Sequence, residues 1–421
     1  MTKKTKPSAI QATLRQPNYW RYILGNGLSL IGTWMQRVAV GWLAWELTHS
    51  PAWLGIIAMA DFAPVFILGP IGGALADRHS RIKVMVGAQL AATLSALTLF
   101  GLSATGLLTV WHLAIFTFIT GCAVGINQPA RLALVPNLVP RELLTTAISI
   151  NAMVFNGARF VGPMFSTAVI ALWSIHGSFL INACSYMALI IALLSLRIPA
   201  PERPRTDGQQ QSLLDDIGEG IQFIRQHAAI RLIIAIMAMA ALCLRSVVDL
   251  LPGLTSDVFG KGADEFAVLT AIFGIGAIIG GIWMARRGGL GDQPIVALWG
   301  VLGTALFTVA LISTQEYMVA LPVALGIGFT TVVAGIGMQA TLHFSTPAAM
   351  RGRVMSLYGI IHIGGAGVGA FILGLIAEHV GLRPPIAISA AIGIIIWCKV
   401  WRNRSEMFHN FQITPPFSKE N

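Results

Sequence analysis

The chain has 421 residues, 55% of them hydrophobic and only 11% charged, with a formal net charge of +10. A soluble domain carries roughly 25% charged residues, and the mean hydropathy here is +0.72, so a soluble enzyme or a free nucleic-acid-binding protein is excluded. The apolar runs reach the ~20 residues of a spanning helix, not the ~10-residue alternation of a membrane barrel, and the fold class follows as an all-α membrane protein.

Residues 1–19 are basic and polar and lack the short apolar core and small-residue cleavage site of a signal peptide. They read as a cytoplasmic N-terminal segment. Apolar runs broken by polar residues, Gly or Pro then predict helices over 20–46, 52–76, 82–104, 108–130, 145–172 and 176–196. Six more follow over 228–254, 264–287, 294–314, 317–340, 352–378 and 382–402. The longest breaks are 131–144 and 197–227. The second is Pro- and Gln-rich and ends in an amphipathic stretch with Leu213, Leu214, Ile217, Ile221 and Ile224 on one face. It reads as a linker between an N-terminal bundle, 20–196, and a C-terminal bundle, 228–402, with 403–421 as a tail. The 44 glycines suit helices that must approach closely in lipid. Cys122, Cys184, Cys243 and Cys398 sit singly in apolar spans, so neither a disulfide framework nor a metal site is expected.

Positive charge orients the spans. Of the 28 lysines and arginines, only Lys261 and Arg383 fall on one side, and Arg37, Arg159 and Arg245 fall inside spans; all others share the opposite side. Both termini and the linker are therefore expected in the cytoplasm. Orientation and anionic lipid account for the net charge without a nucleic-acid partner. The halves also repeat. A shift of 207 or 208 residues lays Gly72 and Gly73 on Gly280 and Gly281, Arg78 on Arg286, Arg37 on Arg245, Pro140 on Pro347 and Gly162 on Gly369. Parallel six-helix repeats mark transporters whose halves rock about a site. The expectation is twelve transmembrane helices in two pseudo-symmetric six-helix bundles.

The segment from Gly69 to Lys83, with Gly73, Asp77, Arg78 and Arg81, resembles the signature between helices 2 and 3 of the major facilitator superfamily. Ser80 replaces its second glycine and Ile82 one basic position, and in the second half Ala285 stands where Asp77 stands in the first. Further segments resemble the bacterial branch of enterobactin exporters and macrolide efflux proteins: Gly32 to Arg37, Asn127 to Ala130, Val139 to Leu143, Asn156 to Pro163 and Arg351 to Ser356. The resemblance implies efflux of a siderophore, macrolide or other amphipathic molecule by a drug:proton antiporter of the bacterial inner membrane. It implies a cytoplasmic gate around Gly73, Asp77, Arg78, Arg81, Arg351 and Arg353. Asp77 near the start of helix 11 could accept hydrogen bonds from that helix's first N–H groups; the basic residues could equally be plain membrane anchors. Gly162 and Pro163 resemble the helix-5 packing motif of antiporters, with Ala158, Ser166 and Thr167 replacing three of its glycines.

Charges inside the spans are the most informative residues, because hydrocarbon tolerates them only beside a cavity or a partner. Arg37 and Asp61 lie equally far from the helix 1–2 turn, so an ion pair at similar depth is natural. Asp61 could cycle between paired and protonated forms, as proton antiport requires, or the pair could simply lock two helices. Arg245 and Asp249, four apart, share a face and could neutralise each other. Arg159 could face an anionic substrate or pair with Asp61. His362 could relay protons or be a packed histidine. Trp34, Trp42 and Trp45 could line a cavity, the latter two fitting an outer aromatic belt better, and Glu46 is read as interfacial. No phosphate loop, zinc-protease motif or nucleophile elbow is present. The expected protein is therefore not an enzyme and needs no cofactor beyond a proton gradient. Its partners are a small molecule, protons and the bilayer, and it works as a monomer. An importer or lipid flippase of the same fold, and a membrane sensor or scaffold, stay open as alternatives.

Overall fold

The computed structural model describes residues 8–197, 213–287 and 293–402, with the side chains of Asp77 and of residues 213–217 among those left out. Expectations for the remaining termini and for the first part of the linker lie outside the described residues. A short helix α1 (Ala9–Leu14), closed by a Ser8–Gln11 capping box, precedes the first long one. In the first half α2 (Pro17–Thr48), α3 (Pro51–Arg78), α4 (Arg81–Ala104), α5 (Val110–Leu134), α6 (Leu144–Leu172) and α7 (Gly177–Leu194) follow. The linker contributes α8 (Leu213–Gln226). The second half has α9 (Ala228–Val258), α10 (Ala263–Arg287), α11 (Gln293–Ser313), α12 (Tyr317–Ser345), α13 (Ala348–Val380) and α14 (Arg383–Arg402). The described residues contain helices and turns but no strand.

Among the described residues, ten of the twelve long helices are apolar enough by composition alone to cross a membrane. The other two are α2 and α6, and their length is ample, at 32 and 29 residues. Polar residues dilute them: Asn26, Gln36, Arg37 and Glu46 in α2, and Thr145, Asn151, Asn156 and Arg159 in α6. Large apolar side chains such as Leu94, Ile191, Leu194, Met318 and Ile395 are exposed on the bundle surfaces, as lipid contact requires.

Packing divides the chain into two compact units. One is Met1–Gly208 with Pro252–Gly274 and the other Gln209–Leu251 with Ile275–Asn421, as far as the described residues run. In the first unit α3 and α5 meet backbone to backbone. A Cβ on Gly121 would fall 2.7 Å from the Asp61 carbonyl oxygen, and one on Gly125 3.1 Å from that of Pro64. This is close approach through small residues four apart, which lipid-embedded helices use in place of a hydrophobic driving force. Polar contacts add specificity. The Tyr19 hydroxyl donates to the Ala147 carbonyl at 2.8 Å, and the Asn182 amide donates to Gln36 Oε1 at 2.7 Å, both buried.

The second unit repeats the small-residue logic. Gly280 on α10 lies against the Phe329 carbonyl, and Gly300 on α11 against the backbone of Ala334. One contact recurs at repeat-related positions. Gly162 on α6 presses on Trp34 of α2, and Gly369 on α13 presses on the Leu242 carbonyl of α9. Shifting by the repeat maps one pair onto the other.

The helix expected over 228–254 departs from regularity. It is α-helical over Ala228–Met239, π-helical over Ala240–Leu244 and 3₁₀-helical over Arg245–Leu250, and it reaches Val258 through a second π turn, Leu254–Val258. Pro252 has no N–H for the carbonyl one turn back, and Ser246 Oγ donates to the Leu242 carbonyl at 2.6 Å. Other ends shift by a few residues. The most consequential is α5, which runs to Leu134 instead of stopping near 130 and so takes Arg131 inside the helix.

Candidate functional site

In the first unit α2 and α3 form a hairpin whose turn is set by His49, in the left-handed region at φ 49°, and by Ser50, whose side chain accepts from Trp53 N. The Arg37 guanidinium and the Asp61 carboxylate form an ion pair across this hairpin, with side chains 29% and 25% exposed. Aromatic rings complete the setting: Arg37 Cζ lies 4.7 Å from the Trp34 ring centre and 4.4 Å from that of Phe62. Arg159 Cζ lies 5.2 Å from the same Trp34 ring. One indole therefore serves two guanidinium groups, an arrangement favoured by the ring quadrupole and strengthened away from water.

The local backbone places these groups. Pro163 on α6 denies a helical hydrogen bond to the carbonyl of Arg159, four residues earlier. Gly162 beside it admits α2: a Cβ there would stand 2.5 Å from Trp34 Cβ and 2.9 Å from the Ile31 carbonyl oxygen. The packing motif and Arg159 thus act together, the glycine bringing α6 against the helix whose tryptophan Arg159 covers. Asp61 sits one turn before Pro64 on α3, where Gly121 of α5 presses on its carbonyl. Trp42 and Trp45, read from sequence as belt residues, are instead 7% and 1% exposed. Trp42 stacks on Phe266 at 5.7 Å. Their side chains point into helix packing, so the belt expectation is corrected. Glu46 is exposed.

In the second unit Arg245 stands where the π turn of α9 gives way to 3₁₀ geometry. Its Nη1 donates to the His362 carbonyl oxygen at 2.7 Å, and Asp249 lies within electrostatic range. The His362 ring stacks on Tyr358 at 5.3 Å and 10°. Arg245, Tyr358 and His362 line a cavity among α9, α11, α12 and α13.

The gate candidates scatter into separate roles. Gly73 lies 4.0 Å, measured from an ideal Cβ, from Pro129. Arg78 is exposed in the last turn of α3. Arg81 opens α4 and donates from Nη1 to the Ala133 carbonyl at 2.8 Å, tying α4 to the end of α5. Arg351 donates to the carbonyl of Thr346, the C-cap of α12, at 3.3 Å. Arg353 pairs with Glu219 on α8 at 2.8 Å. The Asp77 side chain lies outside the described residues.

One residue escaped the sequence reading. Arg131, taken as a loop cation, is 6% exposed inside α5. Its Nη2 donates to Gln128 Oε1 at 2.6 Å and its Cζ lies 5.1 Å from the Phe155 ring. The available signal was Gln128, three residues earlier and hence on the same helical face. Among the described residues no group of three or more His, Cys, Asp or Glu side chains is placed to hold a metal ion.

Comparison with known proteins follows the same line. Macrolide efflux protein A of Streptococcus pyogenes is 23% identical over 385 residues, covering 88% of this chain and 92% of that protein. The enterobactin exporter EntS of Escherichia coli is 26% identical over 415 residues, covering 95% and 94%. A bacterial homologue of the human lysosomal transporter Spinster, solved in an inward-facing, unoccupied conformation, superposes with a TM-score of 0.71 at 14% identity, over 95% of this chain and 99% of that one. The family described as transmembrane secretion effector matches residues 8–410, and with twelve long helices and a major facilitator fold the chain belongs to that family of multi-pass membrane transporters.

Proposed function

We propose that the chain is a proton-coupled exporter of an amphipathic small molecule of the siderophore or macrolide kind, working by alternating access. The observation that carries this reading is the Arg37–Asp61 ion pair between two consecutive membrane helices, beside Trp34 and Arg159. Two opposite charges in hydrocarbon are stable while paired and costly when parted. A proton arriving on Asp61 removes the carboxylate charge and releases Arg37. The freed guanidinium, with Arg159 across the same indole, is then suited to an anionic or aromatic part of a substrate. Coupling arises if proton and substrate bind the two access states unequally. The names of the two similar efflux proteins support the direction and the breadth of substrate.

On this reading the protein works as a monomer in the bacterial inner membrane with both termini in the cytoplasm, and the proton gradient takes the place of any cofactor. The segregated lysines and arginines support the orientation. The test is transport of a labelled macrolide and a labelled catecholate siderophore in proteoliposomes under an imposed pH gradient. The wild type should drive at least one of them against its gradient. Asp61→Asn should lose that driven flux by at least tenfold yet keep substrate exchange at zero gradient. Undiminished driven flux in Asp61→Asn, or no gradient-driven movement of either compound by the wild type, would overturn the proposal. Loading of right-side-out vesicles instead of inverted ones would reverse the direction to uptake.

A further inference from the structure

We infer that the second unit carries a binding pocket of its own, centred on Arg245, for the oxyanion head of an amphipathic molecule. It rests on the export reading only for the view that this molecule is cargo. The cavity among α9, α11, α12 and α13 has a volume of about 40 Å³. That is several times the ~10–15 Å³ a single water needs. It suits a carboxylate or phenolate with its water, not a whole drug-sized body.

The chemistry of the lining is uneven. Most of the wall is apolar, with Met237, Leu244 and Met338 among its residues. Against that wall stands one guanidinium. Arg245 gives Nη1 to a backbone carbonyl, a neutral acceptor, so that bond leaves the positive charge uncancelled. Guanidinium carries five N–H donors in a planar fork that matches an oxyanion. Asp249 lies within electrostatic range on the same helix but is not in the cavity wall.

A hydroxyl adds direction. The buried threonines Thr304, Thr308, Thr330 and Thr341 of α11 and α12 each return their hydroxyl to a carbonyl one turn back. Thr331 on α12 lines the cavity, and no such bond to its own helix is found. It can donate to a ligand without breaking the helix pattern. The backbone points the same way. Non-regular helix at membrane depth is tolerated where it lines a cavity, and α9 changes from π to 3₁₀ at Leu244 and Arg245, both in the cavity wall. Gly369 holds this irregular turn by pressing on the Leu242 carbonyl.

The test uses the full chain in lipid nanodiscs and sodium benzoate as probe, with neutral benzyl alcohol as its comparison, read by calorimetric titration. The wild type should bind benzoate at least tenfold more tightly than benzyl alcohol. Arg245→Gln should weaken benzoate at least tenfold and leave benzyl alcohol unchanged, while Lys261→Gln, at an exposed cation in the turn before α10, should leave benzoate binding intact. Thr331→Leu fills the pocket without touching a charge and should also weaken benzoate at least tenfold, so the test survives if Arg245→Gln does not fold. Benzoate binding that is absent in the wild type, that is unchanged in Arg245→Gln or Thr331→Leu, or that is weakened as much by Lys261→Gln as by Arg245→Gln would overturn the inference. None of these readouts uses a proton gradient, so failure of the export reading would leave the pocket test standing, and failure of the pocket would leave the export test standing.

Discussion

The two intramembrane arginines that the repeat relates, Arg37 and Arg245, have diverged in what satisfies them. Arg37 holds a carboxylate and lies against two rings; Arg245 holds a carbonyl and borders a cavity. The difference makes Arg37 sensitive to shape as well as charge. Lysine at 37 keeps the positive charge but loses the planar group that faces Trp34 and Phe62, contacts worth roughly 0.5–2 kcal/mol each. Arg37→Lys should therefore unfold at lower temperature in detergent, by an amount equivalent to about 1 kcal/mol, and Trp34→Ala should lower both its stability and that of the Arg159 contact. Unchanged thermal unfolding in both variants would show that the rings contribute nothing. Position 61 was readable from sequence, because equal spacing about the His49 turn fixes depth. Its aromatic collar was not, because Trp34 and Phe62 sit on different helices and Arg159 reaches Trp34 from a third.

At the scale of the helix, the apolar runs and their polar breaks located each long helix among the described residues and misjudged those whose ends or geometry depend on packing. The run from Ala240 to Val258 looks as apolar as a regular helix, yet it passes through π, 3₁₀, α and π turns in succession, with Gly369 against the carbonyl of Leu242 in the first of them. Arg131 was misplaced for a related reason: a cation near a span end looks like an anchor until Gln128 and Phe155 are seen to enclose it. The cavity around Arg245 was illegible because its wall is assembled from single faces of four helices, which only their packing brings together. Glycines separate into two kinds at this scale. Gly162 has no room for a Cβ, so Gly162→Ala should already destabilise and Gly162→Val should cost about 1–3 kcal/mol. Gly157, one and a half turns earlier, meets nothing within 4 Å. There alanine relieves the conformational freedom of glycine in a helix, and Gly157→Ala should hold or raise stability by up to ~1 kcal/mol. Thermal unfolding of the pair in one detergent checks the contrast, and equal effects at both positions would contradict it.

For the whole molecule, the linker helix α8 is held to the second unit by more than charge. Glu219 pairs with Arg353, but it is 47% exposed, and such pairs contribute only ~0–1 kcal/mol. Ile224, by contrast, is 8% exposed within the core that includes Val354, Leu357 and Tyr358, and Gly220 lets α8 approach Arg353 and Leu357. Glu219→Gln should change stability by less than ~1 kcal/mol. Ile224→Ala should lose roughly 2–5 kcal/mol and speed hydrogen–deuterium exchange across 218–226. If Glu219→Gln speeds that exchange as much as Ile224→Ala does, the ion pair is the stronger tether after all. The amphipathic pattern was visible in the sequence; which side of α8 is clamped was not, since Arg353 had been read as part of the gate.

The polarity of α2 has a consequence for biogenesis. It leaves the ribosome before α3, and it is among the two described long helices least able to partition into lipid by themselves. Its guanidinium finds its counter-ion on α3, the next segment synthesised. The insertion machinery must then keep α2 waiting until α3 emerges and release both as a neutralised hairpin. A nascent chain truncated after residue 50 should be inserted poorly, and one extended past α3 should be inserted well.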